Sequence, residues 1–220
     1  ITRVGGEKCT YQIPTYEALK GILSSVYWKP TIIWYIDAVR IMKPIQTEVK
    51  GIRPIKYHGG NDLAYYTYLK HVQYQVKAHF EWNDNRPELA NDRNENKHHC
   101  IAKRMIEKGG RRDIYLGTRE CQGYVEPCQF GAGSGAYDEI PELSFGLMFH
   151  GFTYPDEAYS PETKNKMTAN FWYPVMKNGV LSFPRPEVCP LHKPLREMEM
   201  KIFDQTVGNF SGLTEFGEVI

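Results

Sequence analysis

Lys97-His98-His99 sets two proton-carrying side chains beside one that holds a fixed positive charge. Imidazole titrates near neutrality and passes protons, and an adjacent ammonium stabilises negative charge on a phosphorane. The combination suits cleavage of RNA by attack of a ribose 2′-OH on its own 3′ phosphate, a reaction that needs no metal and leaves a 2′,3′-cyclic phosphate. A histidine pair on a surface helix is more often idle than catalytic, so the three residues alone leave both readings open.

Other residues compete for attention. Gly109-Gly110-Arg111-Arg112-Asp113 offers two glycines that let a backbone approach phosphate and two arginines that can fork onto its oxygens, or simply a helix cap followed by a solvated turn. Tyr27 and Trp28 could stack on bases, although aromatics at such a helix end more often enter the core. His98, His99, Cys100 and Cys121 offer zinc-ligand chemistry in principle, but the site is disfavoured because adjacent helical ligands diverge and no recognised spacing is present; no metal or cofactor is expected. Gly131-Ala-Gly-Ser-Gly135 lacks the following helix and the Lys-Ser/Thr of a phosphate loop, and is expected to be a flexible connection.

The elements that must position these residues are legible in the periodicities. Tyr16, Leu19, Leu23 and Val26 repeat at helical spacing behind Thr15, a suitable N-cap, and Lys29-Pro30 closes that helix. A β-branched and aromatic strand is expected over Thr31 to Ile45, breaking near Pro44, and a strictly alternating one over Val72 to Trp82. The polar stretch Asn83 to Asn96 precedes a second helix with Ile101, Ala102, Met105 and Ile106 on one face and Gly109-Gly110 as its C-cap, and a strand is expected from Asp113 to Leu116. The order α-β-β-α-β becomes βαββαβ, the ferredoxin-like and RNA-recognition arrangement, if one strand stands in front. Beyond Cys121, short β-like runs at Phe145 to Phe152, Phe171 to Met176 and Val180 to Phe183 predict a small antiparallel extension, with Asn178-Gly179 as a hairpin turn. The fold class expected is therefore α+β, with a ferredoxin-like domain over residues 1–124 and a β-rich extension over 125–220.

Composition narrows the field. No apolar run approaches the ~20 residues of a membrane span, and the scattered Cys9, Cys100, Cys121, Cys128 and Cys189 fit a reducing, cytoplasmic setting better than a disulfide framework. The net charge of +1, from 27 Lys and Arg against 26 Asp and Glu, conceals a polarised chain. From Arg93 to Arg119 eight cationic residues face three acidic ones, a net of +5, and from Glu120 to Lys166 eight acidic residues face two cationic ones, a net of −6. A basic helix and loop on a ferredoxin-like frame is what binding a phosphate backbone requires, and equally what an ordinary solvated helix face looks like.

Several runs together resemble a known family: Pro14-Thr-x-x-Ala-Leu-Lys-Gly-Ile22, Val26-Tyr-Trp-Lys-Pro30, His71-x-x-Tyr-x-Val-Lys-Ala-His-Phe80, Asp92-Arg-Asn-Glu-Asn-Lys-His98, Gly109-Gly-Arg-Arg-Asp-Ile114, Leu116-Gly-Thr-Arg-Glu-Cys-Gln-Gly123 and His150-Gly-Phe-x-Tyr-Pro155. They are similar to the subtype I-C branch of the CRISPR-associated RAMP superfamily, the "d" (or "c") variants of its fifth Cas family. The resemblance implies a ferredoxin-like domain with a β-rich extension and a metal-independent endoribonuclease that cuts CRISPR precursor RNA at the base of the repeat hairpin, its product retained by the 5′ handle in the subtype I-C Cascade complex. It implies catalytic roles for Tyr27, Lys97 and His98: His98 as general acid or base, Lys97 on the phosphorane, Tyr27 orienting or activating the 2′-OH. His99 matches no family position.

On this reading Lys103, Arg104, Lys108, Arg111 and Arg112 bind the hairpin backbone, and double-stranded DNA is a secondary candidate partner of the same basic surface. The alternative is a non-catalytic subunit that holds the 5′ handle while another nuclease cuts. The family begins with a strand that has no counterpart ahead of Arg3, so a further N-terminal strand of roughly ten residues is expected.

Overall fold

The computed structural model describes residues 2–4, 7–60 and 62–200. In chain order the elements are β1 (Thr2–Val4), β2 (Glu7–Cys9), α1 (Tyr16–Val26), β3 (Ile32–Ile41), β4 (Thr47–Ile52), β5 (Ala64–Leu69), β6 (Tyr74–Trp82), α2 (Glu95–Glu107), β7 (Ile114–Tyr115), β8 (Gln122–Gly123), β9 (Leu143–Ser144), β10 (Met148–Thr153), β11 (Lys166–Trp172), β12 (Val175–Lys177), β13 (Val180–Ser182) and β14 (Leu191–Glu197). Strands outnumber helices and pair almost entirely antiparallel, an α+β fold as the sequence predicts.

The central sheet runs β6-β3-β13-β12-β9. Its axis is the long antiparallel pair β3 and β6, from Ile32 opposite Trp82 to Ile41 opposite Tyr74. The register shifts between Ile36 and Ala38, and the residue at the shift, Asp37, uses its carbonyl to accept from Phe183 N at 2.9 Å. That bond fastens the C-terminal strands onto the N-terminal pair. Asn178 and Gly179, with φ of 47° and 78°, make the β12–β13 turn that Asn-Gly predicts.

Two apolar clusters follow from α1. Its first turns, Tyr16 and Leu19, enter a large core with Ile36, Val39, Ile41, Met176 and Leu181. Its last turn, Val26 with Tyr27, enters a smaller core with Ile32, Trp34, Ala102 and Ile114, flanked by Phe80 and Trp82. The second core glues both helices to the β3–β6 pair, and it includes Tyr27 and packs against His98.

Three sequence expectations are corrected. The strand expected over Asp113 to Leu116 shortens to β7 and, among the described residues, pairs only with β8. In the βαββαβ order this strand's neighbour is the first, central strand; the strand expected ahead of Arg3 lies outside the described residues, and among those described β6 is an edge strand. The segment between Ile45 and Val72, given no element in the sequence reading, forms β4 and β5, which join β1 and β2 in a separate four-stranded sheet. Gly131 to Gly135 is tied down rather than flexible: the buried Arg40 donates to the carbonyls of Ala132 and Gly133 at 3.1 and 2.9 Å, Gly131 N donates to Gln75 Oε1 and Gly135 N to Asp138 Oδ2. Those two backbone N–H groups, which a phosphate cradle would need, are satisfied by side chains of the protein itself. In the tail, β14 pairs with β11 and carries Pro194, which an edge strand tolerates.

Candidate active site

Tyr27 is the C-cap of α1. Its amide donates to Leu23 O at 2.8 Å while its backbone is already extended, and its carbonyl accepts from Trp34 Nε1 at 2.7 Å. The ring is pinned at both backbone groups and lies in the core, whereas Trp28, one extended residue later, is 41% exposed. Far along the chain, Asn94 caps α2 by accepting from Lys97 N at 3.0 Å, and His98, 71 residues beyond Tyr27, follows in the first turn. Lys97 and His98 therefore sit in the first turn, where residues one apart diverge: Lys97 keeps 46% of its side chain in solvent and His98 is wholly buried.

The tertiary fold brings them together. Tyr27 Oη lies 2.7 Å from His98 Nδ1, inside a wall formed by Phe80 and Trp82. The other ring nitrogen, Nε2, is 2.8 Å from the Asp92 carbonyl and 3.5 Å from Asp92 Oδ2. Both are acceptors, so Nε2 carries a proton; in the neutral imidazole Nδ1 is then bare and accepts from the Tyr27 hydroxyl. Burial, followed by the charge of Asp92, holds the Tyr27 phenol above its usual range, with Arg111 acting the other way. The phenol is thus protonated at neutral pH. Lys97 Nζ is ion-paired with Asp92 Oδ1, so Tyr27, His98 and Lys97 form one connected network.

Asp92 is a member that sequence reasoning about roles missed. It stands in the run matched to the family, yet nothing in its spacing reveals that a short 3₁₀ turn, Pro87–Asp92, aims it back at α2. His99 is exposed and outside the network.

The five candidate RNA-binding residues, Lys103, Arg104, Lys108, Arg111 and Arg112, are all exposed, and none forms an ion pair among the described residues. Lys97, Arg104 and Lys108 are spaced seven and four apart, which puts them on one stripe of α2 about 16 Å long; Lys103 is turned about 120° from Lys97. Past Lys108 the helix ends in a Schellman arrangement, Gly109 N to Ile106 O at 2.9 Å and Gly110 N to Met105 O at 2.8 Å, with Gly109 at φ 81°. The turn then docks on α1: Arg111 N and Arg112 N both donate to Ser25 O, at 3.2 and 3.1 Å. Cap and arginine placement are thus one structure, the glycines ending α2 so that both arginine amides dock on Ser25, two residues before Tyr27. Three of the eight acids in the next stretch are ion-paired within the chain, Glu157 with Lys20, Asp138 with Arg40 and Glu142 with Lys177.

A ferredoxin-like α+β frame with two helices against one face of an antiparallel sheet, extended by further β structure, defines a protein of the RAMP class. Residues 1–184 match the family described as CRISPR-associated protein (Cas_Cas5), in its Cas5d form, and the chain belongs to that family. A CRISPR pre-crRNA endoribonuclease Cas5d of Mannheimia succiniciproducens is 26% identical over 217 residues, 81% of this chain and 86% of the relative. A crystal structure of a CRISPR-associated protein superposes with a TM-score of 0.72 at 36% identity, over 84% of this chain and 87% of that one. A functionally uncharacterized protein from Streptococcus mutans does so with 0.70 at 39% identity, over 83% and 86%. The family binds CRISPR RNA and acts within CRISPR effector complexes. Among the described residues no helix is long and apolar enough to cross a membrane.

Proposed function

We propose that this protein is a metal-independent endoribonuclease that cuts CRISPR repeat RNA by 2′-OH attack and keeps the product within the subtype I-C effector complex. One observation carries the reading: the 2.7 Å contact between Tyr27 Oη and His98 Nδ1, joined through Asp92 to an exposed Lys97. His98 is wholly buried and reaches a ribose only through Tyr27. The 2′-OH proton passes to the Tyr27 oxygen as the phenol's own proton moves to His98 Nδ1; the 2′ oxygen bonds to phosphorus and the bond to the 5′ oxygen breaks. Lys97 stabilises the phosphorane, and the leaving 5′ oxygen takes its proton on the Lys97 side, from the ammonium or from water. Because Tyr27 is only 3% exposed, seating the RNA must uncover the phenol.

Arg104, Lys108, Arg111 and Arg112 extend the positive path from Lys97 along α2 to the end of α1, and the half-exposed Trp28 offers a stacking face there. Residues 1–124 would then be the RNA-handling part and 125–220 its β-rich extension. Duplex DNA would meet the same stripe without sequence preference and with a steep salt dependence.

The test is purified protein incubated with repeat hairpin RNA, with and without EDTA, wild type beside His98→Ala. Cutting that EDTA leaves intact and His98→Ala abolishes, with a substrate bearing 2′-deoxyribose at the cut bound but intact, supports the proposal. Cutting that survives His98→Ala, or stops in EDTA, removes it. A second reading, a non-catalytic subunit that binds the 5′ handle, is favoured by the burial of Tyr27 and His98 with their mutual hydrogen bond satisfied; it predicts tight binding and no cleavage by wild type.

A further inference from the structure

We propose that Asp92 is the positioning residue of this site, holding Lys97 and His98 in register through separate atoms so that proton movement and charge stabilisation act on one phosphate. The inference rests on the RNA-cleaving reading above. Contacts from four residues converge on this one. Its carbonyl oxygen accepts from His98 Nε2 at 2.8 Å and from Asn94 N at 2.9 Å. Its Oδ1 binds the Lys97 ammonium, and its Oδ2 accepts from Thr31 Oγ1 at 2.7 Å and lies 3.5 Å from His98 Nε2.

Each contact has a consequence for the chemistry. The carbonyl fixes the proton on Nε2 and so presents Nδ1 to Tyr27, which is what lets His98 work through the phenol. The carboxylate faces the imidazolium formed when Nδ1 takes the phenol's proton, and stabilises it. Lys97 has a long, rotamer-rich side chain half in solvent, and anchoring its ammonium removes freedom that it would otherwise lose only on meeting RNA. Thr31, buried immediately before β3, is itself fixed because its carbonyl accepts from Asn83 N at 2.9 Å. Asp92 is thereby referenced to the β3–β6 pair rather than to the mobile end of a side chain. Its carboxyl is held below the usual range: burial opposes the charge, but the hydrogen bonds of Lys97 and Thr31 and the charges of Lys97 and His98 outweigh it. It is ionised wherever the site works.

Asp92→Asn retains shape and the main-chain carbonyl while removing the charge that holds Lys97. Single-turnover cleavage of repeat RNA should slow on the order of 100-fold at saturating protein, with the half-saturating concentration changed by less than about twofold. Asp92→Glu should recover part of the loss. The decisive comparison is Asp92→Asn combined with Lys97→Met. A residue acting through Lys97 and His98 gives a double variant much faster than the product of the two single losses predicts, whereas a merely structural residue gives additive losses. Should Asp92→Asn unfold, Thr31→Val loosens the same carboxylate and must show the same non-additivity with Lys97→Met. Wild-type rates in Asp92→Asn, or additive losses, overturn the proposal while leaving the nuclease reading intact; a wild type that binds repeat RNA and does not cut it overturns both.

Discussion

His98 and His150 are both wholly buried, one at the start of α2 and the other in β10, and their surroundings differ in kind. His98 engages polar partners with both nitrogens, Tyr27 on one side and Asp92 on the other, and the network ends at an exposed lysine. His150 donates from Nε2 to the Pro184 carbonyl at 3.0 Å, leaves Nδ1 without a partner among the described residues, and stacks on Tyr16 at 4.2 Å between Trp172 and Phe183. Burial pushes His150 down to about 4, the Pro184 carbonyl opposing it only partly and the charges of Lys20 and His192 adding to the fall. It is a neutral aromatic spacer. Burial alone therefore does not mark a histidine as structural or functional; the second nitrogen's partner does.

The contrast can be broken at several points. His98→Ala should lose cleavage by at least about 100-fold, measured on repeat RNA, while His150→Phe should cut at the wild-type rate per folded molecule; equal losses in both would erase the distinction. Tyr27→Phe keeps the ring in its core and removes only the hydroxyl, and should lose cleavage on the order of 100-fold with RNA affinity nearly unchanged. Arg111→Ala, Arg112→Ala and Arg104→Ala should weaken RNA binding modestly and lower the slope of log affinity against log salt by roughly one each, whereas Lys103→Ala, off the stripe, should do less. A gel-shift salt series separates them.

The smallest effect concerns pH. In the unfolded chain His150 titrates at its ordinary 6.5, and in the folded one at about 4, so between those values the unfolded state binds more protons. Its contribution to stability is complete above about 6.5 and declines as pH falls toward 4. Denaturant titrations across that window should show a slope that flattens in His150→Phe; an unchanged slope would show that His150 is charged in the fold.

Much of this was legible before any coordinate. Thr15 and Asn178-Gly179 are local devices whose geometry depends on their own few residues, and both form as expected. The alternation of Tyr74 to Trp82 specifies β6 because a period of two leaves one face to bury. The β4–β5 pair escaped because Thr47–Ile52 and Ala64–Leu69 are exposed or half-exposed along most of their length, and a strand without a dry face writes no alternation. Gly131 to Gly135 escaped because its rigidity comes from Arg40, ninety residues away.

By itself, the sequence determined the two α-helices, the Thr15 and Gly109-Gly110 caps, the β3–β6 hydrophobic pattern, the polarised charge and the residue types from which an RNA-cleaving site could be built. The tertiary structure alone decided that Tyr27 and His98 share a hydrogen bond, that Asp92 joins them to Lys97, and that Arg104, Lys108, Arg111 and Arg112 form no ion pair among the described residues while Asp138 and Glu157 of the next stretch are paired with Arg40 and Lys20. Caps and periodicity are set by neighbours a few residues away and are written locally. Contacts between residues seventy apart depend on how two helices settle on one sheet, and no local spacing encodes that distance.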